Sequence, residues 1–483
     1  MSFVSLRPPW VKLTLVVLWG VGCQAAPAAA DDALRAEAAA AMKKAVDYYR
    51  TKVATHGGYV YHYSPDLSIR WGEGPATSEQ IWVQPPGTPT VGLAMLRAYE
   101  AVGDRDALDG ATAAARALVY GQLRTGGWTN CVDFDPQGAR RDAYRNGRGT
   151  PKGRANSTFD DGISQSALRL LMQVDRALNF QDAEIHDAAR FALDTILAAQ
   201  YPNGGFPQVW TGPVPAQPVV RPSYPDYDWR TEGRVKNYWD MYTLNDNTIG
   251  YTAQTLGEAR RIYGDDRCKS ALAKLGDFLV LAQMPDPQPA WCQQYGYDMR
   301  PIWARKFEPP GISGRESQDA LATLMDVYVV TGDRKYLEPI PRAVAYLRKS
   351  LLPDGRLARY YELQTNRPLY MTRSGEKYSL TYDDANLPDH YGWKTPARLD
   401  ELEARHRGLS EGSAASETAN KTAPPDEGEV RRIVGALDGE GRWLSTYDGG
   451  MIVGQAKFRP GDSYLSSETF SRNVETLAAY LKR

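Results

Sequence analysis

The sequence predicts an all-α fold, an α/α toroid of helical hairpins with long irregular loops building a cleft. Three observations carry this: apolar residues at helical spacing through most of the chain, short Gly-Asp loops between paired helices, and a glycine- and aromatic-rich turn recurring after every second helix. Apolar residues fall on one helical face in 163–178, 185–200, 249–264, 267–283, 317–332 and 336–352. The joints "YGDDRC" and "TGDRKY" separate the members of a pair. The turns "YGQLRTGGWTN", "AAQYPNGGFPQ", "LAQMPDPQPAW", "LLPDGRLARYY" and "LDGEGRWLSTY" follow the second helix of each pair. Gln122, Gln200 and Gln283 mark three of them at steps of 78 and 83 residues. Five modules of this length exceed the usual solenoid repeat of about 20–45 residues, which favours closure into a ring.

Size and composition agree. The chain has 483 residues, 42% of them hydrophobic and 24% charged, enough for a large buried core. Residues 1–30 place Arg7 and Lys12 before "LTLVVLW" and end in Ala28-Ala29-Ala30. This is the layout of a secretory signal peptide cleaved before Asp31, with lipidation at Cys23 as the competing reading. An exported protein, secreted or periplasmic, is expected, with residues 31–483 forming one catalytic domain. Removing the leader leaves 55 basic and 58 acidic residues, a net charge of −3, so neither nucleic acid nor a membrane is an expected partner of the mature form. A monomer is expected. Cys131, Cys268 and Cys292 show no CxxC spacing, which leaves zinc without a motif. Residues 212–241, rich in proline and aromatics, read as an ordered excursion over the cleft, and 407–429, small and polar, as a mobile insertion.

Candidate chemistry collects at the turns. Asp160-Asp161 and Asn245-Asp246-Asn247 each precede a helix. One such residue suffices to cap a helix, and the surplus oxygens suit a hard cation such as calcium or acid-base work. "WARKFEPPGISGRES" brings Arg305, Lys306 and Arg315 together with Glu308 and Glu316, and "RYYELQTNRPLYMTR" carries Arg359, Arg367 and Arg373. Arginines on one side and carboxylates on the other fit an anionic substrate. Trp210, Trp229, Tyr238 and Trp239 would suit the faces of sugar rings.

"STFDDG", "QYPNGGFPQ", "YTLNDN", "WARKFEPPGISGRES" and "RLARYYELQTNRPLYMTRSG" resemble, in order, the blocks of the pectate lyases of polysaccharide lyase family 10, across roughly residues 40–380. The resemblance implies an α/α toroid that cleaves polygalacturonate by calcium-assisted β-elimination. A base removes the proton at C5, and the C4–O bond breaks to leave a 4,5-unsaturated sugar. It implies Arg373 as the base, Arg359 and Arg305 as substrate-binding residues with Lys306, Arg367 and Asp161 beside them, and Asp160 and Asp246 as calcium ligands. A guanidine base, with an ordinary pKa above about 12, implies an alkaline optimum. The chain departs from the family pattern at both acidic turns, Asp160-Asp161 where Asp-Asn is usual and Asn245-Asp246-Asn247 where Asn-Asp-Asp is usual. Two rival readings share the architecture, a glycoside hydrolase using Asp160 and Asp246 and a non-catalytic uronan-binding protein.

Overall fold

The computed structural model describes residues 27–150, 152–232, 235–412 and 425–482. Most of the proposed leader, residues 1–26, lies outside the described residues, as does 413–424 of the proposed insertion. That insertion's flanks are helical.

Among the described residues, twelve helices of nine residues or more build the fold. They are α1 (Pro27–Tyr48), α2 (Thr88–Val102), α3 (Arg105–Gly121), α4 (Ile163–Ala177), α5 (Ala183–Ala198), α6 (Thr248–Tyr263), α7 (Asp266–Ala282), α8 (Gly314–Thr331), α9 (Ile340–Lys349), α10 (Leu399–Ser410), α11 (Glu427–Gly435) and α12 (Ser467–Leu481). Neighbouring inner helices α12, α2, α4, α6 and α8 pack side by side, and α3, α5 and α7 back them. The architecture is the expected α/α toroid. Beyond the hairpins read from the sequence, N-terminal α1 packs behind C-terminal α12 and makes a further pair from opposite ends of the chain.

The hairpin joints follow from two residues. Gly103, Gly264 and Gly332 end α2, α6 and α8 at φ of 71°, 66° and 74°, left-handed values that cost glycine little. The next residue, Asp104, Asp265 or Asp333, then accepts a hydrogen bond from a backbone N–H of the following helical turn, as an N-cap does. So short a link forces the chain straight back.

At the other end of the ring the repeated glutamine explains the spacing seen in the sequence. The Nε2 of Gln122 donates to Gly126 O and Ala188 O, that of Gln200 to Gly204 O and Ala271 O, and that of Gln283 to Pro289 O and Pro339 O. Each amide thus fixes its own turn and ties it to the next hairpin. Trp128 and Trp291, both fully buried, repeat a second bond, Nε1 to Leu118 O and to Leu279 O, each 2.8 Å.

Small sheets sit on the same end, over the starts of the inner helices. One joins 444–446, 463–466, 62–63 and 70–71. The other joins 377–381, 368–374, 360–361 and 312–313. In the second, Arg373 pairs with Tyr378 across the antiparallel 368–374/377–381 hairpin.

Candidate active site

The two acidic motifs form matching turns. Residues 160–162 and 245–247 are single 3₁₀ turns immediately before α4 and α6, and in each the second residue lies in the left-handed region, Asp161 at φ 48° and Asp246 at φ 49°. Neither turn caps its helix: Gly162 and Asn247 hold the cap positions, with no side-chain cap bond. The left-handed turn instead brings oxygens of Asp160, Asp161 and Asp246 within 4.8 Å of one another.

Cations surround this cluster on one side. Arg305 Nη2 donates to Asp160 Oδ2 at 3.0 Å, and Arg315 Nη1 to Asp246 Oδ1 at 3.1 Å. Arg359, only 2% exposed, donates to Glu316 at 2.7 Å, Asn245 at 3.2 Å and Asp246 at 3.4 Å. The Tyr391 ring covers its guanidinium at 4.9 Å. Arg359 therefore braces Asp246, with the Tyr391 ring packed on its guanidinium. Ser313 caps α8 and also donates to the buried Glu316, which fixes the carboxylate that Arg359 needs.

The same surroundings split the three acids. Burial raises Asp161 to about 7, helped by the charges of Asp160 and Asp246. Burial also raises Asp160, with Arg305 opposing it. For Asp246 burial again works against ionisation, but Arg359, Arg315 and Arg305 outweigh it and hold the carboxyl below its ordinary range. Asp160 Oδ1 is buried without a hydrogen-bond partner among the described residues.

The opposite wall comes from the first hairpin, and sequence reasoning missed it. Gln84, 7% exposed, donates through Nε2 to Asp161 Oδ2 at 2.9 Å and to Glu73 Oε1 at 3.1 Å. Asn130 Nδ2 donates to the other Glu73 oxygen at 3.2 Å. Glu73 stands in "RWGEGPA" and Gln84 in "VQPPG". Neither segment carries an acidic pair or a basic cluster, and the packing of α2 beside α4 brings them to the site.

The remaining candidates lie further out. Arg373 is on the hairpin rim with its side chain 41% exposed. It pairs with Glu376 at 3.3 Å and lies over the Tyr378 ring at 5.6 Å. Glu376 also pairs with Lys306 at 3.5 Å, so Lys306 and Arg373 stand together and Arg305 next to Lys306 reaches the acids. Arg367 stacks on Tyr382 at 3.5 Å and makes no contact with the acidic cluster. Of the four aromatics proposed for sugar faces, Trp210 and Trp229 are core residues at 3% and 5% exposure. Trp210 packs against Phe159 at 4.3 Å, and their hydrophobic area explains the burial. Tyr238 and Trp239 remain open, Trp239 at 37%.

The proline-rich excursion is tied down at several points, among them Arg300 to Asp226 at 2.7 and 2.9 Å and the Tyr224 hydroxyl to Pro285 O at 2.9 Å, and one of them reaches the arginine segment. Glu362, 2% exposed, accepts from Nε and Nη2 of Arg230 and from the hydroxyls of Tyr382 and Thr365. One carboxylate thus joins the excursion to the strand after which the arginine hairpin begins.

Residues 122–350 match the pectic acid lyase family model. They take in both acidic turns and the Arg305–Arg315 segment; Glu73 and Gln84 on one side and Arg359 and Arg373 on the other fall outside. No curated protein matches the chain in sequence. Among solved structures, a family 10 polysaccharide lyase from Cellvibrio cellulosa is 22% identical, with 62% of this chain and 91% of that one covered and a TM-score of 0.45. A mutant of that lyase in complex with trigalacturonic acid aligns over 68% of this chain and 98% of its own, at 20% identity and TM-score 0.45. The cellobiose 2-epimerase of Spirochaeta thermophila aligns over 94% and 98% at 16% identity and TM-score 0.47. The family match takes in the acidic turns and their facing arginines, and over those 229 residues the chain is similar to the pectic acid lyases.

Proposed function

We propose that the protein is an exported, monomeric pectate lyase that cleaves polygalacturonate by β-elimination, with calcium held at the acidic turns and Arg373 as the base. The observation that supports this best is the convergence of Asp160, Asp161 and Asp246 within 4.8 Å beneath Arg305 and Arg315. Three carboxylates so close repel one another, and an oxygen-seeking divalent cation is the partner that relieves this. The donor set fits it: Asp160 would bind through the oxygen that Arg305 leaves free, with Asp161 and Asp246 beside it. Bound there, the cation would neutralise a uronate carboxylate and acidify the adjacent C5 proton.

The chain's own residues do the rest. Arg305 and Arg315 set positive charge beside the acids, where the carboxylate of a sugar gains electron density as its C5 proton leaves. Arg373 on the rim takes that proton, the electron pair forms the C4–C5 double bond, and the C4–O bond breaks. The departing oxygen gains a proton and becomes the new hydroxyl end. Lys306, sharing Glu376 with Arg373, keeps the rim cationic toward an incoming uronate. Tyr238 and Trp239 offer ring faces to the sugars.

The hydrolase reading fits less well. A hydrolase's acid and base need no cations at their carboxyls, whereas Arg305 and Arg315 here contact Asp160 and Asp246. Export rests on the leader sequence, and no helix among the described residues is long and apolar enough to cross a membrane. The test is ultraviolet absorbance of the unsaturated product from de-esterified polygalacturonate, with calcium and with a chelator. Absorbance that requires calcium supports the reading. Falling viscosity without absorbance would replace it with hydrolysis.

A further inference from the structure

The segment 138–154, "GARRDAYRNGRGTPKGR", holds six basic residues and one acidic one, a local charge of +5 in a chain of net −1. We infer that it is a binding ledge for the polyanionic chain beyond the cleft, a step that rests on the uronan reading above.

The ledge is built, not loose. The backbone of Arg145 donates to Gln122 O at 2.7 Å, Ala143 to Arg154 O at 2.8 Å, and Thr150 to Asp142 O at 2.9 Å. Tyr144 is buried and its hydroxyl accepts from Asp133 N at 2.9 Å. The buried Asp142 serves Arg140 at 3.0 Å and stands 3.9 Å from Arg154, and Arg145 pairs with Asp187 at 2.8 Å. Arg141, Arg148 and Lys152 are exposed and have no carboxylate partner among the described residues. Arg141 also donates to Gly138 O at 2.6 Å, which holds its guanidinium in place, and the three cations stand without a facing carboxylate among the described residues.

Position selects the ligand. Arg140 Nη2 donates to Asn130 Oδ1 at 3.1 Å, Asn130 donates to Glu73, and Gln84 links Glu73 to Asp161. The ledge therefore continues directly from the wall of the acidic site. Glu73 lies on that path with each carboxylate oxygen turned to an amide. At its far end the ledge opens into a groove of about 600 Å³ between α3 and α5, lined by Arg116, Tyr120, Arg145 and Arg148 and by the carboxylates Glu184 and Asp187, of which Asp187 is held by Arg145. A uronan longer than the cleft would leave it along this line, and fixed cations with an aromatic ring suit successive uronates. An unrelated polyanion such as a nucleic acid would use the charge but not the continuity.

The test compares wild type with the triple variant Arg141→Ser, Arg148→Ser, Lys152→Ser. On polygalacturonate the variant's KM should rise about tenfold, the sum of three exposed charge contacts. Its rate on trigalacturonate should be unchanged, and its salt dependence on the polymer should weaken. Equal KM on the polymer would overturn the ledge while leaving the lyase intact. If no cleavage occurs at all, retention on a polygalacturonate affinity gel still decides: earlier elution of the variant supports the ledge, and identical retention ends it. Tighter wild-type retention on heparin or duplex DNA than on polygalacturonate would reassign the ledge to another polyanion.

Discussion

Asp161 and Asp246 are backbone equivalents: each is the second residue of a 3₁₀ turn before an inner helix, with φ, ψ of 48°, 24° and 49°, 40°. Asp160 therefore matches Asn245, and the symmetric pair across the site is Asp161 with Asp246. Calcium should depend on that pair most. Asp161→Asn should lower calcium affinity by at least about tenfold, in the range lost when groups around a metal are altered. Asp160→Asn, whose partner Arg305 keeps Glu308 at 3.6 Å, should lose less. Titration calorimetry with calcium ranks the two, and the reverse order would restore Asp160 as the principal ligand.

Calcium binding should also follow pH. Asp161 sits at about 7, raised by burial and by its acidic neighbours, and a carboxyl must lose its proton to bind the ion. Affinity should fall by up to about tenfold per pH unit below 7 and level off above 8. The stability of the metal-free protein runs the other way. A raised carboxyl holds its proton more tightly folded than unfolded, so this group stabilises the fold as pH falls from 8 through 7. Melting temperatures at pH 6 and 8, with calcium and with chelator, check both signs: calcium should help more at pH 8.

Much of this was legible in the sequence because it is local. Apolar spacing, the Gly-Asp joints and the glutamine turns are short-range patterns, and they gave the toroid and placed Asp160, Asp246 and Arg305 at one end of it. What escaped depends on long-range packing. The pair of α1 and α12 joins residues near 40 to residues near 475, and Glu73 and Gln84 become site residues because α2 packs beside α4 and so sets Gln84 against Asp161. Burial was equally hidden: Trp210 and Trp239 look alike in a sequence, yet one is 3% and the other 37% exposed. Arg359 reads as a substrate arginine, and its packing against Tyr391 and Glu316 is visible only in the fold.

The Arg359 brace has a measurable cost if broken. Glu316 is fully buried and Arg359 nearly so, 2.7 Å apart. Glu316→Gln leaves a buried guanidinium short of its main counter-charge, and Asp246 alone, at 3.4 Å, replaces it poorly. Destabilisation by about 3–5 kcal/mol is expected, read as a lower urea midpoint at unchanged slope. A change below about 1 kcal/mol would mean that Asp246 carries the pair.

Glu362 predicts a different phenotype, local loosening. Its bond to Arg230 is the tie between the excursion and the strand before the arginine hairpin. Arg230→Ala should expose 212–228 to proteolysis, with chymotryptic cleavage after Tyr227 rising several-fold, while global melting moves little because Arg230 is 43% exposed. Mass spectrometry of limited chymotryptic digests settles it. Tyr382→Phe, which removes one donor to the same carboxylate, should give a weaker version of the same pattern.

Arg373 separates base from mere cation. Its side chain is 41% exposed and its protein contacts are Glu376, Gly375 O and the Tyr378 ring, so Arg373→Ala should leave stability within about 0.5 kcal/mol. As the base it should cost roughly 10²–10⁴-fold in kcat, with calcium affinity unaltered. Arg373→Lys gives the sharper answer. Lysine keeps the positive charge but loses its proton near 10.4, about two units or more below arginine. If Arg373 abstracts the C5 proton, the lysine variant should retain part of the activity with the alkaline limb of its rate profile moved down. If Arg373 only attracts the substrate, lysine should restore nearly full activity with the wild-type profile, and the change to alanine should appear in KM rather than kcat. The second pattern would pass the base to another group on the rim, with Tyr378 facing Arg373 across the hairpin the first to mutate.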